Sequence, residues 1–436
     1  MRFVGLDVHK QMVEAVILDA TGGVLARAQV AATRAALERF AEDHLGADCT
    51  VALEATTNTW AVERVLAPWV HAVVVSNPLK TRAIAEAKVK TDRVDALVLA
   101  QLLRTEYLPR VWTPDAATQR LRELTSRRAS LVAQCTRGKN RLHAVLHQRL
   151  IALPAGVRLF TPRGRQWLTT ELALDPDGRA AVASELRLLD AAEQELALLT
   201  RTLAETGRPD PRLALLLTLP GVQLAVAQTL LATLGDTHRF RSGDHAASYL
   251  GLVPSTRQSA AHCYHGPITK QGNGHARWML VQAAQHLATH PGPLGVFFRR
   301  VARRKNRNVA VVATDRKLVV IAWHLLEHQE PYRYAVPRTT ASKLAQVRVL
   351  ATGQRRRGGV AMGTRRPASY GNGHGTRTLP ALDAVYSAEG LPARPPRAHG
   401  ETRMLHAAGL TTFVASLDTE HTVPRSHSTP PTPEGT

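Results

Sequence analysis

The order of strand-like and helix-like segments in the first hundred residues most narrows what this chain can fold into. Three short apolar or β-branched runs are separated by two close turns, which is typical of an antiparallel meander. After them the apolar spacing alternates between that of helices and that of strands. The predicted segments are, in order, strands Arg2–Val8, Val13–Leu18 and Val24–Val30, helix Thr33–His44, strand Thr50–Glu54, helix Asn58–Leu66, strand His71–Val75 and helix Thr91–Arg104.

This order, β-β-β-α-β-α-β-α, predicts an α/β domain over residues 1–113, in which three antiparallel strands are followed by two parallel strands with crossover helices. It is the strand order of the ribonuclease H-like (RNase H-like) fold. The fold class predicted for the whole chain is therefore α/β plus α, because the sequence that follows is mostly helical in pattern.

The remaining sequence predicts three further parts. Residues 114–205 are charged and carry leucines at roughly heptad spacing, which indicates a helical coiled-coil stalk. Residues 206–335 predict a compact, mostly helical C-terminal domain. Residues 336–436 are predicted to form a largely disordered tail, because 351–436 contain 11 glycines and 9 prolines without a period.

Composition excludes several classes of protein. Three cysteines that lie far apart provide neither a disulfide framework nor a Cys-x-x-Cys zinc motif. No apolar run approaches the roughly 18 to 20 residues of a membrane span, and the first residues lack the features of a secretory signal peptide. We therefore expect a cytoplasmic protein without a membrane partner.

The formal net charge of +21 favours polyanionic partners. Residues 1–115 contain 13 basic and 14 acidic residues, whereas 116–149 contain 8 and 1, and 296–350 contain 12 and 3. An arginine-rich genome is the alternative explanation, but it would not leave the first domain neutral. Residues 351–436 contain 10 basic and 6 acidic residues, so we expect their removal to keep most nucleic-acid binding.

Four carboxylates occupy positions that the predicted fold would bring together. Asp7 lies within an apolar strand, where a charge is costly without a partner or a metal ion. Glu54 ends the fourth strand, and Asp92 and Asp95 share one face of the last helix. Such a set suits two Mg²⁺ or Mn²⁺ ions about 4 Å apart, acting on a phosphodiester. Taken singly, Asp92 could be a helix N-terminal acid and Glu54 a satisfied strand end.

A second set of candidates lies in the predicted C-terminal domain. The turn Leu219–Val222 resembles a helix-hairpin-helix turn, whose amides can bind a phosphate, although it could be only a turn. Lys270 and Arg277 surround a glycine-containing loop that enters a helix, which suits a nucleic-acid backbone. A serine in such basic surroundings could be a nucleophile, although most loop serines are caps or turn residues. The histidines of this region match no zinc motif: His238, His245, His262, His265 and His275.

Five separated motifs together resemble the DEDD-type insertion-sequence transposases, the IS110 family. They cover about residues 1–335 and are, in order, Gly5–Lys10, Leu53–Thr56, Lys90–Ala96, Leu219–Val222 and Gly251–Trp278. The resemblance implies a bacterial, cytoplasmic, nucleoid-associated recombinase that excises and inserts a mobile element. It also implies a RuvC-like domain, a coiled-coil bridge, a C-terminal transposase domain, and guidance by an element-encoded bridge RNA that pairs with donor and target DNA. Because the acidic and C-terminal candidates lie far apart in sequence on separate domains, we also expect a homo-oligomer, a dimer or tetramer, whose subunits together form the site.

The resemblance further implies roles for individual residues. The four carboxylates correspond to the metal-binding tetrad, and Ser259 lies where the family's catalytic serine lies. The family usually has Ser-Gly at this point, whereas Ala260 follows Ser259, so either the loop tolerates the change or this copy is impaired. Nucleic-acid binding is predicted for residues near the motifs and in the basic segments: Lys88, Lys90, Arg93, Arg127, Arg128, Lys139, Arg141, Gly221, Arg257, Lys270, Arg277, Arg303, Arg304 and Lys305.

The resulting hypothesis is a DNA recombinase in which the Ser259 hydroxyl attacks the scissile phosphate and the tetrad binds Mg²⁺. Two other functions stay open. The first is a RuvC-like, metal-dependent, structure-specific endonuclease that uses water and forms no covalent adduct with DNA. The second is an inactive copy that only binds nucleic acid. Gly5–Asp7 is also similar to the first phosphate loop of actin-like ATPases, but the later glycine-rich loops of that class are missing.

Overall fold

The computed structural model describes residues 1–84, 91–259, 262–354 and 376–424. The chain divides into two compact units, Met1–Pro114 and Asp115–Thr436. Three residues singled out in the sequence, Lys88, Lys90 and Ala260, lie outside the described residues. Each unit is built around its own hydrophobic core.

The first unit contains one five-stranded sheet with helices on both faces. Strands β1 to β5 are Arg2–Val8, Met12–Leu18, Val24–Ala31, Cys49–Glu54 and Ala72–Ser76; helices α1 to α4 are Arg34–His44, Thr59–Leu66, Pro78–Ile84 and Asp92–Arg104. The strand order is β3-β2-β1-β4-β5, with antiparallel pairing among the first three strands and parallel pairing of β1 with β4 and of β4 with β5. The order of strands along the chain and their antiparallel and parallel pairing agree with the prediction, which did not include helix α3.

Alternation along β1 assigns its side chains to two faces of the sheet. On one face, Val4, Leu6 and Val8 are buried in a core shared with α1 and α2. Gly5 and Asp7 lie on the other face, which α4 covers. Because α4 packs on the same face as Asp7, the N-terminal turn of this helix is brought towards the end of β1.

Gly5 determines how closely α4 approaches the sheet. A Cβ atom placed on Gly5 would lie 2.0 Å from the backbone oxygen of Ala96 and 2.7 Å from the backbone nitrogen of Ala100. Both are backbone atoms inside a helix, so neither can move without the rest of the helix. The observed packing of α4 on β1 therefore requires glycine at this position.

We expect Gly5→Ala to destabilise the first unit by about 1–3 kcal/mol or more, because α4 must shift or the sheet must distort. Gly46→Ala is the matched control, since a Cβ there meets only the side-chain ends of Asp48 and Arg2, at 3.2 and 3.3 Å. Differential scanning calorimetry of both variants measures the difference. Equal shifts in melting temperature would contradict the close packing at Gly5.

The second unit begins with a long helical hairpin, in the region predicted to form a stalk. Helices α5 (Ala116–Gln148) and α7 (Pro176–Gly207) run antiparallel, because Arg127 pairs with Glu195 near one end and Arg149 with Asp175 at the other. Leucines of both helices are buried between them: Leu142, Leu146, Leu186 and Leu189. The connection contains helix α6 (Pro162–Gln166) and a π-helical turn, Trp167–Glu171.

The rest of the second unit is mostly helical, with two short antiparallel ribbons, β6–β7 and β8–β9. Its elements are α8 Pro211–Leu217, α9 Leu224–Leu234, α10 Gly243–Tyr249, β6 Pro254–Ser259, β7 His262–Ile268, α11 Gly274–Gln285, α12 Pro293–Arg304, α13 Arg307–His328, α14 Pro337–Thr352, β8 Thr376–Leu379, α15 Leu382–Ala388, α16 Glu401–Ala407, α17 Thr411–Asp418 and β9 His421–Pro424. Within the described ranges, no helix combines the length and apolarity needed to cross a membrane.

The prediction of a largely disordered tail from residue 336 is wrong for its described residues. Leu382 and Tyr386 are buried in the main core of the second unit, and the Tyr386 hydroxyl donates a hydrogen bond to the backbone oxygen of Tyr332 at 2.6 Å. Arg348 of α14 forms an ion pair with Glu389 at 3.0 Å. Composition misleads here because short apolar helix faces lie between turns that contain glycine, and those faces complete the core.

We expect Tyr386→Ala to lower the free energy of unfolding by about 3–5 kcal/mol, as loss of a large buried aromatic side chain does. Met404→Ala is the matched control, because Met404 lies in the same C-terminal segment and is 69% exposed. Urea denaturation compares the two. An unchanged midpoint for Tyr386→Ala would show that the segment does not contribute to the core. A truncation at 351 would also expose this core, so a test of the expectation that it keeps most nucleic-acid binding must first show that the truncated protein folds.

Candidate active site

Asp7 and Glu54 lie beside each other at one end of the parallel strands. In the register of β1 with β4, Leu6 is paired with Leu53, so the two carboxylate residues follow on neighbouring strands. Ala52 packs in a cluster with residues of α4, and Glu54, two residues later, projects from the same face. The sheet therefore presents two acidic residues on the side that α4 covers.

The other two predicted carboxylates belong to the first turn of α4. Thr91 is the N-cap, and its side-chain oxygen accepts a hydrogen bond from the backbone N–H of Val94. Asp92 and Asp95 follow in the first turn, where the partial positive charge of the helix end stabilises carboxylates. The structure thus brings all four members of the predicted tetrad to one face of the sheet.

His9 lies between two of these carboxylates. Its Nε2 is 3.2 Å from Oδ2 of Asp7 and 3.3 Å from Oδ1 of Asp92, and one ligand atom from each of the three groups lies within 4.8 Å of the others. His9 is absent from the sequence-based predictions. The available signal is its spacing of two residues from Asp7, which puts both side chains on one face of an extended chain.

The surroundings of Asp7 disfavour the ionised form of its carboxyl group. Burial raises the pKa of Asp7, and the negative charges of Asp95 and Asp92 raise it further, while His9 acts in the opposite direction. A divalent cation would neutralise the same charges, and carboxylate oxygens are the ligands that Mg²⁺ and Mn²⁺ prefer. The donor set therefore fits these ions.

A fifth carboxylate, Glu14, also lies on this face. It is paired with Asp7 in the register of β1 and β2 and is buried. The side-chain amide of Gln29 donates to Oε1 of Glu14 at 3.2 Å, and Nε of Arg93 lies 4.0 Å from the same oxygen. Arg93, which was predicted to bind nucleic acid, therefore also offsets part of the negative charge of Glu14. A charged residue within the apolar run of β2 was the sequence signal for Glu14.

Ser259 lies at the end of β6, in an exposed ribbon of the second unit. In the antiparallel register, Ser259 is opposite His262 and Arg257 is opposite Tyr264, and all four residues are exposed. Residues two apart on a strand share a face. The structure therefore puts Ser259 on the same face as Arg257, one of the residues predicted to bind nucleic acid.

Lys270 and Arg277 lie near the base of this ribbon but differ in their contacts. Lys270 has a left-handed backbone, with φ of 55°, and its N–H donates to the backbone oxygen of Gly251 at 3.1 Å; its side chain is exposed. Arg277 donates to the backbone oxygens of Gln271 at 2.6 Å and Leu250 at 3.1 Å. Arg277 therefore holds the loop in place, whereas the Lys270 ammonium faces solvent.

The turn Leu219–Val222, between α8 and α9, is fixed from inside the protein. Gly221 has φ of 77°, and a Cβ there would lie 2.4 Å from the backbone oxygen of Ala283. Nζ of the buried Lys343 donates to the backbone oxygens of the first and last residues of the turn, at 2.6 and 3.2 Å. Burial lowers the pKa of Lys343 to about 7. Packing explains Gly221, and phosphate binding by this turn stays a prediction.

Most of the stalk cations that were predicted to bind nucleic acid form ion pairs with carboxylates of the stalk itself. Ion pairs across the hairpin measure 2.9 to 3.1 Å: Arg127 with Glu195, Lys139 with Glu193, and Arg141 with Glu185. Arg128 is half-buried, and burial lowers its pKa. By contrast, Arg303, Arg304 and Lys305 at the end of α12 are exposed, and none of them forms an ion pair with another described residue.

Comparisons with known proteins match both units. A family model for DEDD transposases of IS110 elements, described as a transposase, matches residues 4–150. A second model, described as a transposase of the IS116/IS110/IS902 family, matches residues 213–295. The first match spans the acidic cluster, and the second spans the ribbon that carries Ser259.

Three relatives carry related names. A putative transposase of Sinorhizobium fredii is 30% identical over 233 residues, which are 53% of this chain and 56% of that protein, so the chain spans little more than half of its length. A probable family 20 transposase of Pseudomonas aeruginosa is 27% identical over 336 residues, 76% of this chain and 98% of the relative. A pilin gene-inverting protein of Moraxella bovis is 26% identical over 292 residues, 64% of this chain and 80% of the relative.

The fold, the acidic cluster and these matches define an enzyme of the DNA transposase and recombinase class. Both family models describe transposases, and they occur in the order in which the sequence motifs occur. The chain belongs to the IS110/IS116 family of insertion-sequence transposases.

We expect the double variant Arg303→Ala/Arg304→Ala to weaken DNA binding more than Arg127→Ala/Arg141→Ala, because the stalk cations already have carboxylate partners. Each lost phosphate contact should reduce the slope of log K against log salt by about 0.9. Fluorescence anisotropy across a KCl series measures both affinity and slope. A larger loss for the stalk variant would place the main interface on the hairpin instead.

Proposed function

We propose that this protein is a DNA recombinase of a bacterial insertion sequence, with Asp7, Glu54, Asp92 and Asp95 as ligands of two Mg²⁺ or Mn²⁺ ions and Ser259 as its nucleophile. The observation that supports it best is the position of carboxylate residues of β1, β4 and α4 on one face of an RNase H-like strand order, with ligand atoms of Asp7, His9 and Asp92 within 4.8 Å of one another. Bound divalent ions would supply Lewis acids that polarise a phosphodiester.

The chain's own residues hold this donor set in place. Asp7 and Glu54 are fixed by strand pairing, and Asp92 and Asp95 by a capped helix that packs directly on the sheet. Such groups do not need to reorganise when a phosphate enters, which is the basis of electrostatic preorganisation. Gly5 provides the close contact that keeps the two parts of the donor set together.

The chemistry proposed for the second unit is attack by the Ser259 hydroxyl oxygen on the scissile phosphorus. A phosphoserine bond forms, and the bond between phosphorus and the oxygen of the leaving DNA strand breaks. Arg257 shares the face of Ser259, and the exposed Lys270 follows the ribbon in the chain. Both cations can offset the charge that develops on the phosphate oxygens.

The proposed partners are donor DNA, target DNA and a bridge RNA encoded by the mobile element. The exposed cations at the end of α12 and the net charge of +21 support polyanionic partners. The relatives named as transposases and as a gene-inverting protein support DNA as the substrate. We further propose that the protein acts as a homo-oligomer in the bacterial cytoplasm, in association with the nucleoid.

A denaturing gel tests the proposed mechanism. Protein, labelled donor and target DNA, the RNA encoded beside the gene, and Mg²⁺ should yield a covalent protein–DNA adduct. Ser259→Ala and Asp7→Asn should each reduce adduct formation by about 10⁴-fold or more, since they remove a nucleophile and a metal ligand. Ser255→Ala is the matched control, because Ser255 lies on the same strand outside the proposed site.

Other results of this assay would support one of the two alternative functions. Cleavage by the wild type without an adduct, retained in Ser259→Ala and lost in Asp7→Asn, would establish a metal-only, RuvC-like endonuclease. Salt-sensitive binding without Mg²⁺-dependent cleavage would establish an inactive copy. Either result overturns the serine mechanism.

A further inference from the structure

The exposed β6–β7 ribbon has two faces with different chemistry. Its cross-strand pairs, counted from the end of β6, are Ser259–His262, Gln258–Cys263, Arg257–Tyr264 and Thr256–His265. Directly opposed residues in an antiparallel pair project from the same face, and successive pairs project from opposite faces. His262 therefore shares the face of Ser259 and Arg257, whereas His265 lies on the other face.

The side chains of that other face contact one another. Oγ1 of Thr256 and Nδ1 of His265 are 3.0 Å apart, and Nε2 of His265 is 3.8 Å from Sγ of Cys263. Both ring nitrogens of His265 thus have neighbours within the ribbon. These contacts agree with the two-face assignment, and they distinguish His265 from the histidine opposite Ser259.

His262 is within reach of the Ser259 hydroxyl. The Cβ atoms of directly opposed residues lie about 4.5–5.5 Å apart, a gap that an imidazole ring and a serine hydroxyl can close with a hydrogen bond. Both residues are exposed, so a phosphodiester can approach the pair. Arg257, one pair further along on the same face, provides a positive charge for that phosphate.

We propose that His262 is the general base that accepts the Ser259 hydroxyl proton, an assignment that rests on the serine mechanism proposed above. A serine hydroxyl is a weak nucleophile unless a base lies within hydrogen-bond reach, and imidazole is the side chain most often used. The comparisons and the motifs assign His262 no role.

The Ser259 proton moves to the imidazole while the bond from Oγ to phosphorus forms and the bond from phosphorus to the leaving DNA oxygen breaks. The leaving oxygen takes a proton from water, and the resulting hydroxide takes the proton from the imidazolium. When a DNA hydroxyl later attacks the phosphoserine, the reverse transfer regenerates the serine hydroxyl.

The adduct assay with His262→Ala tests this assignment, and His265→Ala is the matched control, since it removes an imidazole from the opposite face of the same strand. The rate of adduct formation should fall about 10²–10⁴-fold in His262→Ala and stay near that of the wild type in His265→Ala. Added imidazole should restore part of the rate in His262→Ala, because the site is exposed, and none in Ser259→Ala.

The outcomes separate this assignment from the serine mechanism. A wild-type rate in His262→Ala, with no adduct in Ser259→Ala, overturns the role of His262 and leaves the serine mechanism standing. An adduct in Ser259→Ala overturns both. If His262→Ala fails to fold or to bind DNA, His262→Gln replaces it, because glutamine keeps hydrogen bonding but cannot accept the proton; a wild-type rate there also overturns the assignment.

Discussion

The close approach of α4 to β1 at Gly5 is the contact on which the acidic face depends. Without a side chain at Gly5, the helix backbone lies directly on the strand, with Ala96 and Ala100 at the contact. This packing brings the capped first turn of α4, with its two aspartates, beside carboxylates of the sheet. Burial raises the pKa of Asp7, and the charges of Asp95 and Asp92 raise it further, while His9 lowers it. Packing elsewhere in the unit must therefore offset the free energy of burying this carboxylate beside other acids.

The second unit shows why net charge alone does not locate a nucleic-acid interface. The stalk is strongly basic in its first helix, yet the second helix supplies the carboxylates that pair with Arg127, Lys139 and Arg141. These cations join the two helices of the hairpin. Exposed pairs of this kind each contribute little to stability, commonly under about 1 kcal/mol, but they reduce the charge offered to a phosphate. The exposed cations at the end of α12 form no ion pair with another described residue, so their charge stays available to a phosphate.

The sequence predicts the first unit well because its signals are local. Periodicity defines the strands, and an acid inside an apolar strand marks Asp7 as a candidate site residue. Glu14 and His9 were not predicted because their local signals, a charge within an apolar strand and a spacing of two residues from Asp7, are weak alone. Strand register and side-chain placement show their importance. The folded state of the C-terminal segment was not predicted for another reason. Its composition resembles a disordered chain, while its few apolar residues, such as Tyr386, are buried by helices distant in sequence.

We propose that the face of the sheet covered by α4 binds divalent cations between β1, β4 and the first turn of the helix. Crystals soaked in MnCl₂ and measured at the manganese absorption edge test this proposal directly. We expect anomalous peaks in contact with carboxylate oxygens of Asp7, Glu54 and at least one of Asp92 and Asp95. Manganese bound elsewhere, with no peak at these carboxylates in fully soaked crystals, would contradict it.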